Sequence, residues 1–148
     1  MKELNNELEI NASAERVWHV LTDFASFPQW NPFLQRVSGE LTAGRRLDVH
    51  TQASGTRGST SRPTVLKVEP SRELRWFERS LLPGLLNVEH IFTIVSLGTD
   101  RVRFTQRAIF TGVFSSLPAG RRNTDTRRGF REMNQALKLR AEQTRPAD

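Results

Sequence analysis

The stretch that most constrains the fold is TDTRRGFREMNQALKLRAEQ, residues 124–143. Phe130, Met133, Leu137 and Ala141 recur at spacings of three and four, which is one face of an amphipathic helix. Asn134 falls beside that stripe. Thr124 or Asp125 is placed to cap the start, and Pro146 bars continuation. Nearly everything upstream reads as strand, so one long helix has to cover one face of a sheet.

Leu4, Asn6, Leu8 and Ile10 alternate with polar neighbours, predicting a half-buried strand over 4–11. Ser13 then stands as an N-cap for a short helix carrying Val17, Val20 and Leu21 and ending near Asp23. A capping box would place an acid at Arg16, so the match is incomplete. Residues 24–33 hold three Phe, one Trp and two Pro, predicting a short helical turn that closes one end of the core.

Strands are predicted over Leu34–Leu41, Arg46–Ala53, Pro63–Glu69, Glu73–Ser80, Asn87–Leu97 and Arg101–Thr111. A Gly/Ser/Thr loop spans 54–61, a leucine-rich hairpin tip spans Leu81–Leu86, and a connector covers 112–123. The order is strand, two short helices, about six more strands and a long helix. That is an α+β arrangement, one curved antiparallel sheet of about seven strands around the C-terminal helix. No repeat or linker divides the chain, so residues 1–148 read as a single domain.

Cys is absent, which excludes disulfides and thiolate chemistry. No stretch has the apolar length of a membrane span, and the N-terminus has no secretory h-region. These features favour the cytoplasm. The net charge of +6 raises nucleic acid as a partner, but the arginines are dispersed and only Arg121, Arg122, Arg127 and Arg128 cluster. Without a recognisable module, the sequence argues against nucleic acid and for a solvated basic surface. His19, His50 and His90 do not converge in this reading, with His50 facing outward, so neither a metal nor another cofactor is expected. Trp18, beside the apolar face of the first helix, reads as core.

Several motifs together resemble the SRPBCC superfamily, the START-type or polyketide cyclase/dehydrase-like group. They are Glu15-Arg16-Val17-Trp18, Asp23-Phe24, Phe27-Pro28-Gln29-Trp30-Asn31-Pro32, His90-Ile91-Phe92, Phe110-Thr111-Gly112, and Gly129-Phe130 through Lys138. The resemblance spans essentially the whole chain. It implies a helix-grip fold with a hydrophobic cavity between sheet and C-terminal helix. Its members include lipid carriers, hormone receptors, cyclases and chaperone activators, so it constrains fold more than function.

Period-two alternation assigns the inward faces. Val102, Phe104, Gln106, Ala108 and Phe110 form one inward set, and Leu74, Trp76 and Glu78 another. His90, Phe92 and Ile94 are the third, although Ile91 and Val95 on the opposite face make that strand less clean. A hairpin centred near Pro83-Gly84 would set Glu78 opposite His90, and the next would set Gln106 opposite Phe92.

The expected cavity then has Phe130, Met133, Asn134 and Leu137 as floor. Its walls are Trp76, Glu78, His90, Phe92, Phe104 and Gln106, with Trp30 and Phe33 at one end. The entrance is expected near the 54–61 loop or the Leu81–Leu86 tip. The polar trio Glu78, His90 and Gln106 can satisfy itself and set register, anchor a ligand, or supply a Glu–His acid/base pair. Three functions follow: binding of a small hydrophobic molecule (lipid, polyketide or aromatic metabolite), a cyclase/dehydratase-like reaction through His90 and Glu78, or a protein-interaction module. A homodimer is left open.

Overall fold

The computed structural model describes residues 2–52, 58–79, 86–112 and 120–143, the side chains of 120–123 excepted. The Leu81–Leu85 part of the hairpin tip, residues 54–57 of the loop, and the side chains of Arg121 and Arg122 lie outside the described residues.

The elements run β1 (Lys2–Ile10), α1 (Ala14–Thr22), a single 3-10 turn (Phe24–Ser26) and α2 (Phe27–Trp30). Then follow β2 (Leu34–Ser38), β3 (Asp48–Thr51), β4 (Ser59–Ser61), β5 (Thr64–Glu69), β6 (Glu73–Arg79), β7 (Asn87–Gly98), β8 (Arg101–Thr111) and α3 (Gly120–Glu142). β1-β8-β7-β6-β5 form one antiparallel sheet and β2-β3-β4 a second. α3 packs against the inward face, giving the expected helix-grip architecture.

Three local expectations need correction. The described strands number eight, because the Gly/Ser/Thr stretch contains β4, whose polar residues pair with β3 although they carry no apolar alternation. The sheet is also divided. Pro63 has no N–H to give, and the β4–β5 strand breaks there. The two halves stay stitched by Leu47 N donating to Pro63 O at 2.9 Å and Val65 N donating to Arg45 O at 2.8 Å. Finally, α3 begins at Gly120, so Thr124 and Asp125 lie inside it, and Asp125 pairs with Arg128 at 3.1 Å. Apolar periodicity reports where a helix touches the core, and its first turns carry no apolar residue to report.

α1 starts as expected, with Ser13 Oγ accepting from Arg16 N at 3.1 Å. Val17, Val20 and Leu21 enter the core. On α3 the buried residues are Gly129, Phe130, Met133, Asn134, Leu137 and Ala141, the predicted stripe with Asn134 included. Gly129 permits a close approach, since a Cβ there would lie 2.2 Å from Phe33 Cδ1. The outward sheet face is laced with ion pairs, including Arg107 with Glu3, Arg101 with Glu9 and Arg75 with both Glu73 and Glu89. Ile91 is buried on that face, flanked in register by Arg75 and Arg107. Their aliphatic stems account for an apolar residue on the wrong side of β7. No helix among the described residues is long and apolar enough to cross a membrane.

Candidate functional site

The register of the large sheet sorts its inward side chains into rows. One row runs Leu4, Ala108, His90, Trp76, Val65 across β1, β8, β7, β6 and β5. The next, two residues along each of the first four strands, runs Asn6, Gln106, Phe92, Leu74. Phe130, Met133, Asn134 and Leu137 of α3 are buried with them.

The rings form a continuous chain. Phe33 meets Phe130 edge-on at 5.7 Å, and Phe130 meets His90 at 6.2 Å. His90 lies 6.0 Å from Trp76, Trp76 5.3 Å from Phe92, and Phe92 6.3 Å from Phe104. Asn31 Oδ1 accepts from the backbone N–H of Phe33 at 3.0 Å and of Leu34 at 2.9 Å, a local turn that aims Phe33 at α3. Trp30 stands apart: it packs on Phe27 at 5.2 Å and lines an outer cleft with Gln35 and Arg36.

The polar groups are grouped differently from the expected trio. Gln106 is opposite Phe92 as anticipated, but Trp76, not Glu78, is opposite His90. Glu78 pairs in register with Val88. The β6–β7 register differs by two residues from the expected one, which changes partners and leaves every face unchanged. Glu78 remains a diagonal neighbour of His90, and its Oε1 accepts from Ser61 Oγ at 2.8 Å. Gln106 belongs instead with Asn6, its partner across β1, and with Asn134, whose Nδ2 donates to Asn6 Oδ1 at 2.7 Å. Asn6 was legible as the polar member of an apolar inward set but was not singled out.

Gln106 and Asn134 are fully buried, and Trp76 is 1% exposed. Both side-chain atoms of Gln106, Asn134 Oδ1 and Trp76 Nε1 have no hydrogen-bond partner. Buried polar groups normally have one, so these atoms mark a place where the protein does not complete its own chemistry. Burial lowers the pKa of His90 below the ordinary imidazole range, and the nearby Glu78 carboxylate opposes this in part. At neutral pH the ring is therefore uncharged.

Burial falls off toward one end of the inward face. Leu74, Trp76, Phe92, Phe104, Gln106 and Ala108 are buried, whereas His90, Val88, Phe110 and Glu78 are only partly so. The inward face is thus more accessible where β6 and β8 end and β7 begins. A cleft of about 1040 Å3 is lined by Arg46, Ser61, Leu66, Phe77, Glu78 and Arg79. His50 faces away from the aromatic chain and lines a separate outer cleft with Arg36 and Thr60.

No curated protein matches the chain. Among solved structures, a START superfamily protein from Mycobacterium smegmatis is 20% identical with a TM-score of 0.72, covering 95% of this chain and 97% of that one. A protein from Chromobacterium violaceum is 15% identical with a TM-score of 0.74, covering 96% and 98%. The Zhui aromatase/cyclase from Streptomyces sp. R1128 is 16% identical with a TM-score of 0.70, covering 95% and 93%. At these identities the likeness is one of fold. The sequence pattern described as polyketide cyclase / dehydrase and lipid transport matches residues 1–142. Fold and sequence pattern agree: the chain belongs to the polyketide cyclase/dehydrase and lipid transport family of the SRPBCC superfamily.

Proposed function

We propose that this chain binds a small hydrophobic molecule between the inward face of the sheet and α3. The carrying observation is Gln106, fully buried among Phe92, Phe104 and the α3 stripe with neither amide atom partnered. A pocket of this kind is mostly apolar with a few orienting polar groups. Trp76, His90, Phe92, Phe104 and Phe130 supply the apolar surface, and the partly exposed row of Glu78, Val88 and Phe110 supplies the way in. The family's description, which includes lipid transport and polyketide chemistry, fits the same class of ligand.

The test is titration with an apolar fluorophore, followed by displacement with a panel of lipids, polyketides and polycyclic aromatics. Saturable binding is expected, weakened by Trp76→Ala. A wild-type protein that takes up none of these probes overturns the proposal.

A second reading is supported by His90. An uncharged imidazole on the partly exposed part of the inward face can accept a proton from an activated carbon, with Glu78 diagonal to it. Cyclisation or dehydration of a polyketide-like precursor needs such a base, and the apolar walls would exclude water. Unchanged turnover of a candidate precursor by His90→Gln would remove this reading and leave binding untouched.

A further inference from the structure

Resting on the binding reading above, we infer that the site selects ligands carrying a neutral hydroxyl or carbonyl group, received by Gln106 at its deep end, and discriminates against ionised ligands.

Gln106 offers an NH2 donor and a carbonyl acceptor, both buried and both unpartnered. Beside it on β1, Asn6 is already engaged by Asn134, whose own Oδ1 stays open. The patch therefore presents one open donor group and two open acceptors, all on neutral amides. An alcohol or phenol both donates and accepts and matches this set, and a ketone matches the donor half.

Among the described residues of the two rows and the α3 stripe, a carboxylate or phosphate finds no counter-charge. The row residues Leu4, Ala108, His90 and Trp76, and Asn6, Gln106, Phe92 and Leu74, include no Lys or Arg. Phe130, Met133, Asn134 and Leu137 add none. The imidazole of His90 is held uncharged by its burial. An anion brought to Gln106 would lose its hydration and gain no cation. Phe110, Ala108 and Gln106 follow one another on the inward face of β8, roughly 14 Å from first to last at strand rise. Ala108, with only a methyl group between His90 and Leu4, is the smallest side chain on that line.

Three probes that share a naphthalene ring and differ only at the 2-position test this by calorimetry at pH 7: 2-methylnaphthalene, 2-naphthol and 2-naphthoate. Wild-type protein is expected to bind 2-naphthol about tenfold more tightly than 2-methylnaphthalene, and 2-naphthoate at least about a hundredfold more weakly than 2-naphthol, because a site built to hydrogen-bond rejects what cannot pair. In Gln106→Leu, and in Gln106→Met as a second variant of similar length, the preference for 2-naphthol over 2-methylnaphthalene should vanish while 2-methylnaphthalene binds at least as well as before. Equal binding of those two by wild type, survival of the preference in both variants, or tightest binding of 2-naphthoate overturns the inference with the hydrophobic site still standing. Failure of wild type to bind any of the three overturns the inference and the binding reading together.

Discussion

Asn134 Nδ2 donates to Asn6 Oδ1 at 2.7 Å, joining the middle of α3 to the first strand across 128 residues of sequence. The bond keys the middle of the gripping helix to the sheet by something more specific than apolar contact. Removing Asn134 leaves the half-buried Asn6 amide without its partner. Asn134→Leu is therefore expected to cost about 1–3 kcal/mol. The double variant Asn6→Leu/Asn134→Leu should cost clearly less than the sum of the two single changes. Urea denaturation of the four proteins measures the coupling, and strict additivity would show that the bond contributes nothing of its own.

Gly129 and Phe33 make a second, purely steric pair. Alanine at 129 would gain about 1 kcal/mol of helix propensity, but its Cβ would lie 2.2 Å from the Phe33 ring. That ring is held edge-on by Phe130 and its backbone by Asn31, so it cannot swing aside cheaply. Overpacking of this kind costs about 1–3 kcal/mol, and we expect Gly129→Ala to be net destabilising. Phe33→Leu in the same background should recover part of the loss. A more stable Gly129→Ala would mean that the helix and Phe33 can separate.

These pairs show which parts of the structure were legible in the sequence. Faces were: the period-two sets on β6, β7 and β8 and the stripe on α3 are where alternation put them, because burial acts on every second or every third and fourth residue. Partners across strands were less so. A register shifted by two residues keeps all faces and changes all neighbours, and so Glu78 meets Val88 and Trp76 meets His90. The Asn6–Asn134 bond depends on two elements at opposite ends of the chain, and no local pattern encodes it. β4 was missed because an edge strand of Ser and Thr carries no apolar signal.

His90 should give the protein a pH-dependent term. Its pKa in the folded state is lowered, chiefly by burial, while in the unfolded chain it returns to about 6.5. Between those two values the unfolded chain binds a proton that the native state does not, so stability falls as pH falls. The loss begins as pH drops through about 6.5 and ends once it is below the native pKa. Thermal midpoints of wild type and His90→Gln from pH 8 to pH 5 report this. The wild type should lose stability relative to the variant on acidification, and parallel curves would show that the imidazole titrates alike in both states.

The last prediction concerns Arg16, the residue that spoils the capping box of α1. Its backbone N–H takes the Ser13 cap, so the local rule is half obeyed. Its side chain does not reach back to the cap, where an acid would go. It reaches the other end of the sequence, where Nη2 donates to Arg140 O at 3.1 Å and Nε to Ala141 O at 3.4 Å. Those carbonyls are among the last four of α3, which have no partner within the helix. A guanidinium there both satisfies them and opposes the negative end of the helix dipole. Glu142, bonded by Lys138 at 2.6 Å and by the Asn11 N–H at 2.7 Å, and Lys138, donating to Glu9 O at 2.9 Å, fasten the same turn to the β1–α1 junction. Arg16→Met keeps much of the aliphatic stem and removes the donors. We expect it to cost about 1.5–3 kcal/mol, the scale of hydrogen bonds from a charged group. We also expect faster amide exchange over residues 138–142 with little change around Phe130, because the far half of α3 is held by core contacts that the substitution does not touch. Uniformly faster exchange along all of α3 would instead mean that Arg16 supports the whole helix. Exchange unchanged at its end would mean that the lysine and glutamate contacts hold the turn without it.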